Sequence, residues 1–293
     1  MANRRQLVKR RTTVRNIRKI TRTMQLIATA RFQQAMNRAA ATRPYADKLT
    51  EMVAAAAQAK TTGRQPLLLP GEGSSAALIV ITSNRGLCGG YNANILRTAI
   101  SELKRCRDAE MQVELHARGK KGINYFRFLG ETFASQSAEI DDRPRFAQVA
   151  SLADEMMTAY AAGELAEANV CYTRFVSTGI QRAMVIPLLP LSLATAADQA
   201  EGVPGRGEVT YDYLPAPDQL LDELLPAAVR MRLFQCFTDA AVSEQMARMV
   251  AMKAATDAAG DMIKILTRQY NRARQTAITM ELLDIIGGVS AIS

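Results

Sequence analysis

The sequence predicts an α/β fold in which long N- and C-terminal helices pair as an antiparallel coiled coil and a Rossmann-like α/β domain is inserted between them. Two observations carry the helices: apolar spacing of helical period runs through residues 3–59 with no glycine, and it returns from Gln219 to Ile286. A third carries the insert, because residues 76–192 alternate strand-like and helix-like stretches. Composition agrees: aromatic residues are 5% of the chain, Trp is absent and Met numbers 14, a mixture that suits long helices better than a β-sandwich.

The first helix is patterned by Leu7, Val14, Ile17, Ile20, Met24, Ile27, Ala28, Phe32 and Ala35 and contains one proline, Pro44. At ~1.5 Å per residue it would be roughly 85 Å long, more than one globular domain covers. Residues 61–75, rich in Gly, Pro and Ser, mark a boundary. Ala77–Thr82 is a continuous apolar run, as expected of a strand buried on both faces. Helix-like Asn94–Cys106, Lys121–Leu129 and Phe146–Ala161 then alternate with strand-like Val113–Ala117, Ala168–Val176 and Ala183–Leu191, which argues a largely parallel sheet. Residues 198–217 read as a second linker.

In the C-terminal helix, Met249, Thr256, Ile263, Tyr270, Ala277 and Asp284 recur every seventh residue. Met252, Ala259, Leu266, Ala273 and Met280 do the same, offset by three. Such a seam lets a partner helix approach closely but makes a weak zipper. Pro226 is expected to kink or break this helix near its start, and Gly287-Gly288 to stop it. The expected domains are therefore 1–60, 76–192 and 215–293.

Charge is asymmetric. The formal net charge is +9, and residues 1–46 hold twelve Lys/Arg with no Asp or Glu. Such an arm suits nucleic acid, anionic lipid or an acidic protein surface. Phe32, between Arg31 and Arg38, is the one aromatic residue among its cations, too little to stack on successive bases, so nucleic acid is the weaker alternative. No apolar run of about 18 residues exists, so no transmembrane segment is expected, and the N-terminus lacks the apolar stretch of a secretory signal. The four cysteines show no CxxC or metal spacing and read as reduced, buried thiols.

Enzyme chemistry finds little support. Ser83–Asn92 (SNRGLCGGYN) follows a strand and opens a helix, the place of a phosphate cradle, but it fits neither GxxxxGK[ST] nor GxGxxG. A tight turn that needs glycine accounts for it more simply. Cys88 would need a base, and the only histidine, His116, is on a predicted strand. No catalytic residue, metal site or cofactor is expected.

Three blocks nevertheless carry a resemblance: VRNIRKITRTMQLIATARFQQA, ITSNRGLCGGYNANI, and MARMVAMKAATDAAGDMIKILTRQYNRARQTAITMELLDIIGG. In sequence and placement they resemble the gamma (central stalk) family of F-type ATP synthases, over essentially the whole chain. The resemblance implies a rotor shaft standing within a hexamer of alpha and beta subunits, with epsilon and the membrane c-ring at its foot. It implies a peripheral protein on the cytoplasmic face of a bacterial inner membrane, with no cofactor. By motif, Arg274 and Gln275 fall where such shafts hydrogen-bond to beta catch loops. Arg248 and Met24 fall where the shaft passes the acidic beta lever, and Tyr211 and Tyr213 near the foot. Ile17 and Thr29 depart from the family pattern without touching these positions.

Overall fold

The computed structural model describes residues 4–58, 65–140, 143–191 and 216–292. In chain order the elements are α1 (Arg4–Gln58), β1 (Ser75–Ile81), α2 (Tyr91–Asp108), β2 (Gln112–Arg118), α3 (Lys120–Phe128), β3 (Ser135–Ser137), α4 (Phe146–Ala161), β4 (Leu165–Phe175), β5 (Gln181–Leu189) and α5 (Pro217–Ile292). Packing divides the chain into two compact units, 1–29 with 248–293, and 30–247, so the division falls inside both long helices.

In the unit of residues 30–247 the strand order is β3-β2-β1-β4-β5. The first four strands are parallel and β5 is antiparallel to β4. The pleat of β1 explains the layering. Ala77, Ile79 and Ile81 join one core with α1, α4 and α5, through residues such as Val53, Met156, Leu225 and Leu233. Leu78 and Val80 face the opposite way, into a core with Ile95 and Leu103 of α2 and Phe126 of α3. A strand covered on both faces must be apolar at every position, which is why ALIVIT carries no alternation.

Two expectations about α5 need correction. Pro226 lies inside the helix without ending it. Leu221, Leu225 and Val229, each at most 1% exposed, fix the backbone on both sides of the proline against the core. Gly287-Gly288 does not stop the helix either, since α5 continues to Ile292. Gly287 does not take the left-handed conformation of a helix-ending glycine, and its intrinsic penalty of about 1 kcal/mol is tolerated.

The unit of residues 1–29 and 248–293 is an antiparallel helix pair. Arg11 lies 5.0 Å over the Tyr270 ring, the Arg18 guanidinium is beside Gly260, and the Thr256 and Thr21 hydroxyls are 2.9 Å apart. On α5 the heptad seam holds as far as Ala277, with Met252, Thr256, Ala259 and Leu266 buried, but Met280 and Asp284, which the count also placed in it, are exposed. On α1 the apolar pattern divides. Leu7, Arg11, Val14, Thr21, Gln25 and Ala28 are the covered positions, whereas Ile17, Ile20, Met24 and Ile27 are 37–58% exposed. The covered row repeats about every 3.5 residues and mixes small and polar side chains with Leu7 and Val14. The bulky row is left facing outward.

A buried carboxyl gives one pH prediction. Asp239 of α5 is packed beside Tyr172 and Cys236, and burial raises it to about 6, against the opposing pull of Arg174 and Arg43. A carboxyl raised above its unfolded value contributes stability that is full below pH ~4 and lost as pH rises through about 6. Asp239→Asn should remove that loss. Discounted for partial exposure, the variant gains about 1–2 kcal/mol over wild type at pH 7–8 relative to pH 4. Denaturant melts at both pH values measure it, and equal pH slopes would refute the assignment.

Candidate partner-binding surface

The strand-to-helix turn was the one place where the sequence raised a nucleotide. There Ser83 donates its backbone N–H to Asn92 Oδ1 at 3.0 Å and its hydroxyl to the Arg85 carbonyl at 2.6 Å. Asn92 Nδ2 in turn donates to Ser83 Oγ at 2.8 Å and to Cys88 Sγ at 3.2 Å. The turn is thus tied to itself, with Leu87 and Gly89 in the left-handed region (φ 64° and 57°) to close it.

The strand order reverses beside β1, between β2 and β4, and ligands of open α/β sheets bind in the crevice at such a point. Here α5 closes over it. Phe237, Ala240, Ala241 and Glu244 meet Ile81, Thr82 and Asn84 around a cavity of about 20 Å³, room for one water. Tyr91 Oη donates to the Ala240 carbonyl at 3.2 Å.

Cys88 and His116 are engaged separately. Cys88 belongs to the turn, while His116 Nδ1 is 2.8 Å from Ser135 Oγ. Burial, with Arg118 nearby, lowers the His116 imidazolium to about 4, so the ring is neutral at physiological pH. All four cysteines are free and buried. Cys106 lies in an acidic cluster with Glu102 and Glu167. Arg105 bridges both carboxylates, and Asn169 Nδ2 donates to each at 3.0 Å. The cluster is a satisfied ion-pair network, with burial holding the Cys106 thiol above its ordinary value.

The surface of the helix pair is different in kind. Ile17, Ile20, Met24 and Ile27 form an exposed row on α1, spaced by three and four residues so that they share one face. Val250, Met262 and Ile265 add exposed apolar area on α5. Every described α5 residue from Ile278 to Gly287 is exposed, including Leu282, Leu283, Ile285 and Ile286. Apolar area of this extent marks a binding surface. Nearly all the cations of the arm, from Arg4 to Arg22, are exposed beside it, Arg11 excepted.

The sequence-derived contact residues do not converge on one point. Met24 belongs to the exposed row at 37%. Arg248 is half-buried. Arg274 and Gln275, both exposed, lie about 40 Å further along α5. They stand near the end of the covered seam, whose last half-buried position is Ala277. Tyr211 and Tyr213 lie outside the described residues. The sequence reading gave Ile17, Ile20 and Ile27 only as part of the helical period and did not name them as surface. A strict seven-residue count from Leu7 would have separated the two rows.

A family model described as ATP synthase matches residues 3–292. The ATP synthase gamma chain of Rhodopirellula baltica is 46% identical over 294 residues, covering 100% of this chain and 99% of the relative. That of Leptospira biflexa is 37% identical, covering 100% of both. Among solved structures, a chain of the Euglena gracilis mitochondrial ATP synthase OSCP/F1/c-ring assembly aligns with a TM-score of 0.67 at 20% identity, covering 99% of this chain and 94% of that one. A chain of the rotor of the same enzyme aligns with a TM-score of 0.64 at 18% identity, covering 94% and 98%.

Proposed function

The chain belongs to the ATP synthase gamma-chain family, and from that premise we propose that it is a central-stalk rotor subunit coupling ring rotation to the nucleotide states of the beta subunits. The observation that carries the reading is the outward apolar row of the antiparallel pair, which gives a shaft a surface to present to a surrounding sleeve of alpha and beta subunits. The exposed apolar residues are unevenly placed, with Ile17, Ile20, Met24 and Ile27 gathered on one face of α1, which makes the shaft asymmetric. Its orientation therefore changes which contacts each beta subunit receives, and only such differences can shift their equilibria.

In this reading Arg274 and Gln275 reach the beta catch loops, and Arg248 and Met24 face the acidic beta lever. Tyr211 and Tyr213 belong to the foot on epsilon and the c-ring. In this reading the chain itself is non-catalytic, which the packing of α5 over the end of β1 supports. No described helix is long and apolar enough to cross a membrane. Attachment to the cytoplasmic face of a bacterial inner membrane then comes through the ring. Reconstitution with alpha and beta subunits tests the reading: ATP hydrolysis should require all three chains, and equal hydrolysis without this chain would refute it.

The cationic arm steers assembly. Its charges are exposed, and the Debye length falls from about 30 Å at 0.01 M salt to about 8 Å at 0.15 M. The association rate with the alpha–beta partners should fall at least tenfold across that range. A stopped-flow rate flat in salt would rule the steering out.

A further inference from the structure

A groove of about 680 Å³ opens in the α/β unit, between α1 and the segment that leads into α4. Its polar lining includes Gln34 and Arg38 from α1, Arg143 and Arg145 from the approach to α4, and Gln148 from the first turn of α4. Arg143 Nη2 donates to Gln34 Oε1 at 3.0 Å, which holds one guanidinium across the mouth. Arg38 and Arg145 are exposed. Glu139 is the one carboxylate among the described lining residues, and Asp141 and Asp142 lie outside the described residues. The shaft role uses none of these groups.

We propose that this groove is a binding site for a compact multivalent phosphate anion, of the pyrophosphate or tripolyphosphate class. Guanidinium forks match phosphoryl oxygens two at a time, and the four that line the groove, Arg31 and Arg38 from α1 and Arg143 and Arg145 from the approach to α4, suit an anion with several charged oxygens rather than a single monoanion. The volume lies in the range of small-ligand sites. The walls also say what does not bind. Pro144 is the only apolar residue among the described lining residues, so a nucleobase finds no ring there to stack on and a peptide finds no pocket for an apolar anchor. Arg145 precedes α4 at the N-cap position, so the positive end of the helix dipole adds to the same field, although the Gln148 amide already donates to the Arg145 carbonyl at 3.1 Å.

The test is calorimetry of the full chain with inorganic tripolyphosphate at physiological salt. Arg143→Gln with Arg145→Gln should weaken binding at least about tenfold, since each removes a charge-assisted contact. Arg97→Gln with Arg182→Gln removes the same charge from exposed positions of the same unit and should change it less than about twofold. Circular dichroism checks that the variants keep their helicity, and Arg38→Gln alone provides a separate, milder probe expected to weaken binding. ATP should bind no tighter than tripolyphosphate. Equal losses in the two double variants would reduce the effect to diffuse charge and overturn the site, as would absence of binding. Binding of a polyglutamate peptide at these arginines without tripolyphosphate binding would overturn it in favour of a protein partner. Much tighter ATP binding would overturn the assigned ligand class.

Discussion

Gly119→Ala should cost about 3–4 kcal/mol, while Gly130→Ala should cost about 1 kcal/mol, although both glycines have positive φ. Gly119 sits at φ 98°, and a Cβ there would stand 2.1 Å from the Thr82 carbonyl oxygen, a backbone atom that cannot swing aside. Moving it breaks more than one tie. The Thr82 amide donates to the Arg118 carbonyl at 2.8 Å, and the Thr82 hydroxyl accepts the Gly122 N–H at 2.9 Å. Gly119 itself donates to the Ser137 carbonyl at 2.9 Å, which joins β3 to the sheet. Gly130, at φ 77°, has open space where its Cβ would go, so only the conformational penalty applies. Native-state hydrogen exchange at β1 and β2 amides in the full chain reads both variants. Similar protection losses in the two would mean that the close approach to Thr82 relaxes without cost.

That pair of glycines also shows where sequence reading stops. The alternation of strands and helices was legible because a buried strand must be apolar throughout and a flanking helix must repeat every 3.6 residues. The three-residue β3, Ser-Gln-Ser, carries neither signal, and it is positioned by Gly119 and β2 rather than by its own composition. Gly119 looks in the sequence like any loop glycine; its role depends on how close Thr82 comes. The long helices were legible, yet their mutual face was only half so. On α5 small residues and the seven-residue repeat coincide. On α1 the isoleucines dominate the pattern, but the covered positions include Thr21, Gln25 and Ala28, with the Thr21 hydroxyl meeting that of Thr256. Contact residues are legible only through resemblance, because an exposed Arg on a helix has no local signature of what it touches.

The largest functional effect is expected at such residues. Replacing Arg274 and Gln275 together by Ala should leave the shaft folded and the complex assembled, while ATP hydrolysis and synthesis both fall. Folding should survive because both side chains are exposed and off the seam of Met252, Thr256, Ala259 and Leu266. Alanine is also the better helix former at each position, by a few tenths of a kcal/mol. On the proposed reading, what is lost is contact with the surrounding subunits. A charge-assisted hydrogen bond contributes roughly 1.5–3 kcal/mol, and Arg274 can make one only at the rotor angles that bring an acceptor within reach. Removing it therefore flattens the differences among orientations rather than weakening all of them equally. At ~1.4 kcal/mol per factor of ten, losing one such contact in a coupled step would slow turnover by about tenfold to a hundredfold. Assembly yield and hydrolysis rate, measured on one preparation, separate the possibilities. Normal yield with a normal rate would leave the pair as solvated helix residues, and a lost yield would make them part of the framework that assembles the complex. Only a normal yield with a reduced rate places them in the coupling itself.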